Sequence, residues 1–195
     1  MLFRSNVENI LSKAHDFHPE VTVKIIRLMA NELNTISQEK ILGFLDSPDK
    51  QIRLATIQTL GDQSLGNESI ACLVERIGEE ANHDLVEMIL GVLLRLEDEK
   101  LVEILSVLAS RYLEKLSSRL LVEFKKRIKF PQVKNLIEGF LESSCHNQNS
   151  FALHLIDDPE IYAERIKQLV KSPRSSVQSR AKELLKALEI GRAHV

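Results

Sequence analysis

The most conspicuous chemistry in the sequence is a run of cations, Lys125, Lys126, Arg127 and Lys129, flanked by Phe124 and Phe130. Clustered ammonium and guanidinium groups neutralise phosphates and release their counterions, and neighbouring aromatic faces can stack on bases. The pattern therefore suits a nucleic-acid strand. The plainer reading is a solvated helix face whose Phe residues belong to the core, and it is the one expected here. Metal chemistry has thinner support. His15 and His18 straddle a helix end with no third ligand, and Cys145 and His146 are adjacent, whereas sequence neighbours seldom share one tetrahedral ion. Cys72 and Cys145 stand in no CxxC spacing, so each is expected to be a free thiol packing as a small hydrophobe. No HExxH pair, nucleophile elbow, Gly-rich phosphate loop or Ser/His/Asp order is present. No catalytic residue, cofactor or metal site is expected, and no enzymatic activity.

A second kind of candidate is the polar stripe on an otherwise apolar helix. From Asp84 to Leu96 an aliphatic run is broken only by Asp84, Glu87, Gly91 and Arg95, spaced three, four and four. That spacing places them on one line of a helix whose other sides are buried. Glu20, Lys24, Arg27 and Asn31 draw a similar line earlier in the chain. Lys24, Arg27, Glu87 and Arg95 are therefore candidate partner contacts, with Lys125, Lys126, Arg127 and Lys129 as the other group; at each position a plain solvated stripe is the alternative. Charge is also segregated: nine acids against three bases from Glu75 to Glu103, then eight bases against two acids from Arg111 to Lys134. The net charge of −2 provides no global field for nucleic acid or anionic lipid.

The elements that must hold these residues are helices. With 44% hydrophobic residues, seven Gly, five Pro and abundant Leu, Ile, Glu and Lys, the chain can build a core, and few breakers interrupt it. Start signals divide it into twelve helices with no strand. Ser5 or Asn6 opens the first, Pro19 the second, Ser37 the third and Ser47-Pro48-Asp49 the fourth, which closes at Gly61. Further starts fall at Asn67, Asn82, Asp98, Ser117-Ser118, Pro131, Asn147, Pro159 and Pro173. Connections this short force neighbouring helices antiparallel, and a single pair cannot bury its apolar face alone, so pairs must stack. Val23, Ile52, Val86, Val122 and Val177 mark equivalent second-helix positions at an irregular period of roughly 30 to 40 residues. The expectation is an all-α fold, an α-solenoid of about six antiparallel pairs forming a single domain over residues 6–188.

One segment makes a resemblance specific. Leu45 to Gly61, LDSPDKQIRLATIQTLG, resembles the HEAT repeat: an acidic turn, Pro, an aliphatic followed by Arg, then small and aliphatic residues at helical spacing. Weaker copies are HDFHPEVTVKIIRLMA, with Lys24 in the Arg position, and Leu169 to Leu188, with Gln178 there. The resemblance implies a right-handed, armadillo-like superhelix and a structural role for Arg53, in a ladder with an acid such as Asp46 or Asp49, with Asp16 and Asp84 at comparable turns. It implies a scaffold that binds another protein, or another domain of a parent chain, on a curved surface. Nucleic-acid binding through the Lys125 to Lys129 patch is the alternative, and an enzyme akin to the HEAT-like bilin lyases a remote one. No apolar run is long enough to span a bilayer, and a cytoplasmic location is expected.

The two ends read differently from the rest. MLFRS back-translates to GTG CTC TTC CGA TCT, with GTG read as an alternative start codon; its reverse complement, AGATCGGAAGAGCAC, read in one frame after a preceding G, encodes Glu-Ile-Gly-Arg-Ala followed by the start of a His codon, and the chain ends EIGRAHV. The string resembles a short-read sequencing adapter. Residues 1–5 and 189–195 are therefore expected to be non-native tags on a metagenomic fragment of a larger protein, and they are excluded from fold reasoning.

Overall fold

The structure, a computed structural model, describes residues 9–10, 13–30 and 38–192. Among these residues it is all-helical, and it divides into two compact units, 1–97 and 98–195. In the first unit, α1 spans Pro19–Ala30, α2 Gln38–Leu42 with a 3-10 turn at Gly43–Asp46, α3 Lys50–Gly61, α4 Asn67–Glu79 and α5 His83–Leu93. In the second, α6 spans Asp98–Lys126, α7 Pro131–Glu142, α8 His146–Leu155, α9 Ala163–Leu169 and α10 Ser175–Arg192. Of the helix expected from Ser5 or Asn6, residues 9–10 and 13 are described and are helical, a 3-10 turn follows at Ala14–Asp16, and its start, like the Ser37 start and the MLFRS segment, lies outside the described residues.

Within the first unit alternate helices pack together: α1 on α3, α3 on α5, and α2 on α4. Local chemistry fixes where they start. Asp49 caps α3, its carboxylate accepting from the N–H of Gln51 at 2.7 Å and of Ile52 at 3.3 Å, and Asn82 caps α5 by accepting from Leu85 N–H. Gln38 ties α2 to α4: its amide donates to Ser64 O and accepts from Gly66 N–H and from the Ser69 hydroxyl at 2.7 Å. Gly61 ends α3 as expected, but without a left-handed backbone. Its small size answers to packing, because a Cβ there would sit 2.7 Å from Cγ2 of Val92 on α5.

Arg53 makes the ion pair that organises this unit. Its Nε and Nη2 donate to Glu80 at 2.9 and 3.2 Å, and Nη1 donates to the carbonyls of Ser47 and Pro48. Glu80, only 2% exposed, also accepts from Arg76 at 3.4 Å and from the N–H of Asn82 at 3.0 Å. Burial by itself would push this carboxyl up; the Arg53 and Asn82 hydrogen bonds and the Arg53 and Arg76 charges outweigh it and hold Glu80 below the usual carboxylate range. The acid paired with Arg53 is thus Glu80, at the end of the next helix, and neither Asp46 nor Asp49. Asp49 is engaged as a cap, while Asp46 is exposed and 3.4 Å from Arg76.

In the second unit α6 packs on α8, α8 on α10, and α7 on both α8 and α9. Phe151 of α8 is the hub, edge-to-face with Phe124 of α6 at 5.5 Å and with Phe140 of α7 at 6.3 Å. Buried Asn149 donates to the carbonyls of Phe140 at 2.8 Å and Ser143 at 2.9 Å, satisfying the C-terminal end of α7. The helix break expected at Ser117-Ser118 falls at Tyr112, whose backbone leaves helical values at φ −128°, ψ 21°. Leu113, Leu116, Leu120 and Phe124 then form one buried line at helical spacing, and Val122 points away from it, 53% exposed. Val122 is therefore not a core equivalent of Ile52 and Val86, both of which are buried. α9 begins at Ala163, later than the Pro159 expected, because 159–162 form turns in which Asp158 accepts from Glu160 N–H.

Candidate functional site

A groove crosses the first unit where α1, α3 and α5 lie side by side. Its volume is about 620 Å³. Arg27 of α1 and Arg95, just beyond α5, stand among its walls with Gln58 and Asp62 from the end of α3, while Gly61, Met88 and Gly91 contribute the smaller or less polar lining. The helices present this line because each buries its other sides: Leu85, Val86, Ile89, Leu90, Val92 and Leu93 are all buried on α5, leaving Gly91 and Arg95 toward the groove. Arg95 is steadied by donating Nη1 to the carbonyl of Gly61 at 3.2 Å. Arg27 is exposed, and no ion pair to it forms among the described residues. A guanidinium held by a carbonyl, an exposed second guanidinium, a carboxylate and an amide thus share one recess, a set that can hydrogen-bond a peptide backbone and pair with an acidic side chain.

Of the four stripe residues expected on this unit, the groove brings together Arg27 and Arg95. Lys24 and Glu87 are not in its lining; Lys24 is exposed and Glu87 half-buried. Gln58 and Asp62 were not expected; Gln58 stands in the last turn of α3 and Asp62 is the residue that follows the helix, four positions on, between Arg27 and Arg95.

The cationic group of the second unit is largely engaged. Lys126 pairs with Glu123 at 2.7 Å, Arg127 with Glu123 at 2.5 Å and Asp98 at 3.1 Å, and Lys125 approaches Asp157 at 3.6 Å. Lys129 lies 5.6 Å from the Phe130 ring centroid. The Lys126 hydrogen bond, with that of Arg127 and the charges of both, holds the Glu123 carboxyl below its ordinary range against the opposing effect of burial. A phosphate would have to compete with these carboxylates, and Phe124, fully buried, is not offered to a base.

Two smaller recesses lie in the second unit. One, of about 450 Å³, is lined by Glu138, Glu142, Glu160, Ile161 and Tyr162 among others; Glu142 pairs with Arg165, and burial, then Glu138, pushes the Tyr162 phenol up. The other, of about 390 Å³, lies between Leu113, Leu121 and His154. Among the described residues no three His, Cys, Asp or Glu side chains gather as metal ligands would, and no helix is long and apolar enough to cross a membrane. The half-buried Cys72 thiol is pushed up, first by burial and then by Glu68 and Asp46, whereas Cys145 is exposed.

No protein-family model matches the chain, and no curated protein matches it. Among solved structures it is similar to the crystal structure of an engineered protein from a structural genomics consortium, at 16% identity and a TM-score of 0.44, over 95% of this chain and 97% of that one. A likeness at that level carries no argument about activity.

Proposed function

We propose that the chain is a HEAT-like α-solenoid module that binds a segment of another protein, with the groove between Arg27 and Arg95 as its contact surface. The observation that carries the reading is the convergence of residues from three helices on one recess that offers paired hydrogen-bonding groups and no reactive constellation. Support for the repeat architecture comes from the packing of alternate helices, since α1, α3 and α5 start at Pro19, Lys50 and His83, at intervals typical of helical repeats. Further support comes from Arg53, which occupies the position where the resemblance places a structural Arg and which pairs with an acid about one repeat along the chain. A groove that spans successive repeats grips an extended segment rather than a compact ligand.

The test is a photo-crosslinking residue at Gln58, exposed in the groove. A partner should be captured by the otherwise unaltered chain, and capture should fall at least about tenfold when Arg27→Glu and Arg95→Glu are combined, the loss expected for removing two charge-assisted contacts. Capture that is indifferent to this double reversal, or equal from a photo-crosslinker at exposed Lys182 on α10, would sink the reading.

A further inference from the structure

α1 is apolar on two opposite sides. Ile26 and Thr22 are fully buried on one. On the other, Val21, Lys24 and Leu28, at intervals of three and four, form a line roughly opposite Ile26, with Val21 45% and Leu28 67% exposed. Phe17, 41% exposed, stands one further four-residue step ahead of the helix. Ile10, Phe17, Val21 and Leu28 are the exposed large apolar side chains of this unit among its described residues, so the apolar exposure is confined to one end of it.

A helix at the edge of a fold needs one apolar face; two opposite ones are what a helix between two neighbours has. α3 is such a helix, set between α1 and α5. The second face of α1 thus continues the packing already present in this unit. From this face we infer a docking site for an amphipathic helix of a partner protein, one that presents aliphatic residues to Phe17, Val21 and Leu28 and a carboxylate to Lys24. The carboxylate follows from Lys24: it sits in the middle of the line, exposed, and no ion pair to it forms among the described residues. The same lysine disfavours a second copy of this chain as occupant. A two-fold axis through the middle of the line would bring Lys24 against Lys24, and like charges oppose the pairing. This site is separate from the groove and stands whether or not the groove binds.

The probes are two fluorescent helical peptides of about 18 residues, long enough for a stable helix. Each has Leu at every third or fourth position of one face; the first carries Glu at the middle of that face and the second Lys. The full chain should bind the Glu peptide more tightly than the Lys peptide. Leu28→Glu, at a position 67% exposed where a substitution changes stability little, should keep the chain's thermal midpoint and weaken the Glu peptide about tenfold or more, as loss of one buried aliphatic contact does. Lys24→Glu should reverse the preference toward the Lys peptide, and Lys182→Glu, at an exposed position on α10 in the other unit, should leave binding in place. Binding of neither peptide, or equal binding before and after Leu28→Glu, would overturn the inference. So would a dimer in sedimentation that Leu28→Glu abolishes, which would make a second copy the occupant. Binding that emerges only when residues 1–12 are deleted would also overturn it, by assigning the face to the chain's own N-terminal segment.

Discussion

Glu80 and Arg53 show how a single residue can carry more of the fold than its neighbours in sequence suggest. Two charges that are 2% and 12% exposed have left most of their hydration behind, and only mutual pairing with further hydrogen bonds makes that tolerable. Glu80→Gln keeps the shape and one acceptor but strands the guanidinium, and should cost about 2 to 3 kcal/mol at neutral pH. Because the folded carboxyl lies below its ordinary value, its contribution is fully present above the unfolded Glu value, about 4.3, and is lost as pH falls through the lower folded one. The gap in urea midpoint between the native chain and Glu80→Gln should therefore be constant down to about pH 5 and narrow in more acidic solution. A gap independent of pH would show that the charge on Glu80 is not what stabilises. The identity of this acid was not legible beforehand. Arg53 stood out in its motif, but Glu80 is one of several acids in an acidic stretch, and only the close approach of two helix ends selects it. Asp46 and Asp49 were the nearer candidates, and one of them was already committed to capping.

At the scale of elements, starts were read well where a side chain or Pro determines them, as at Asp49, Asn82 and Pro131. They were misread where tertiary packing decides. Ser117-Ser118 looks like a break by composition, yet helix continues through it, because Leu113, Leu116, Leu120 and Phe124 form one unbroken apolar line that a break there would disrupt. Gly61 was legible as an end but not for its reason. Gly61→Ala gains helix propensity of up to about 1 kcal/mol, yet it drives a methyl into the stiff, branched Val92, and overpacking of this kind costs about 1 to 3 kcal/mol. The substitution should therefore lower stability on balance. In a Val92→Ala background, where the obstructing methyl is gone, the same change should be neutral or favourable, as a thermal-denaturation double-mutant cycle would read. An equal effect in both backgrounds would mean that the α3 to α5 spacing is not set by this contact.

At the scale of the molecule, the all-helical class followed from composition and periodicity, because breakers are few and apolar residues recur at helical spacing over most of the chain. The groove was half legible. Arg27 and Arg95 are visible as polar points on apolar helices, but that they share a recess depends on α3 lying between them, and the residues contributed there, Gln58 in its last turn and Asp62 just after it, belong to no comparably clean stripe. The basic cluster misleads in the opposite sense: Asp98 and Asp157, far from it in sequence, reach Arg127 and Lys125 in the folded unit.

The Glu80 carboxylate also joins three successive helices, for it accepts from Arg53 on α3, from Arg76 on α4 and from the N–H of Asn82 at the start of α5. In arrays whose parts touch only their neighbours, segments can open one at a time. Here, peeling any one of the three helices away leaves a buried charge short of a partner, which raises the free energy of every partly opened form above that of opening all three. The carboxylate thus makes the segment from Lys50 to Leu93 one cooperative block: native-state hydrogen exchange should give its slowest amides a common opening free energy, and Glu80→Gln should split that value into separate steps.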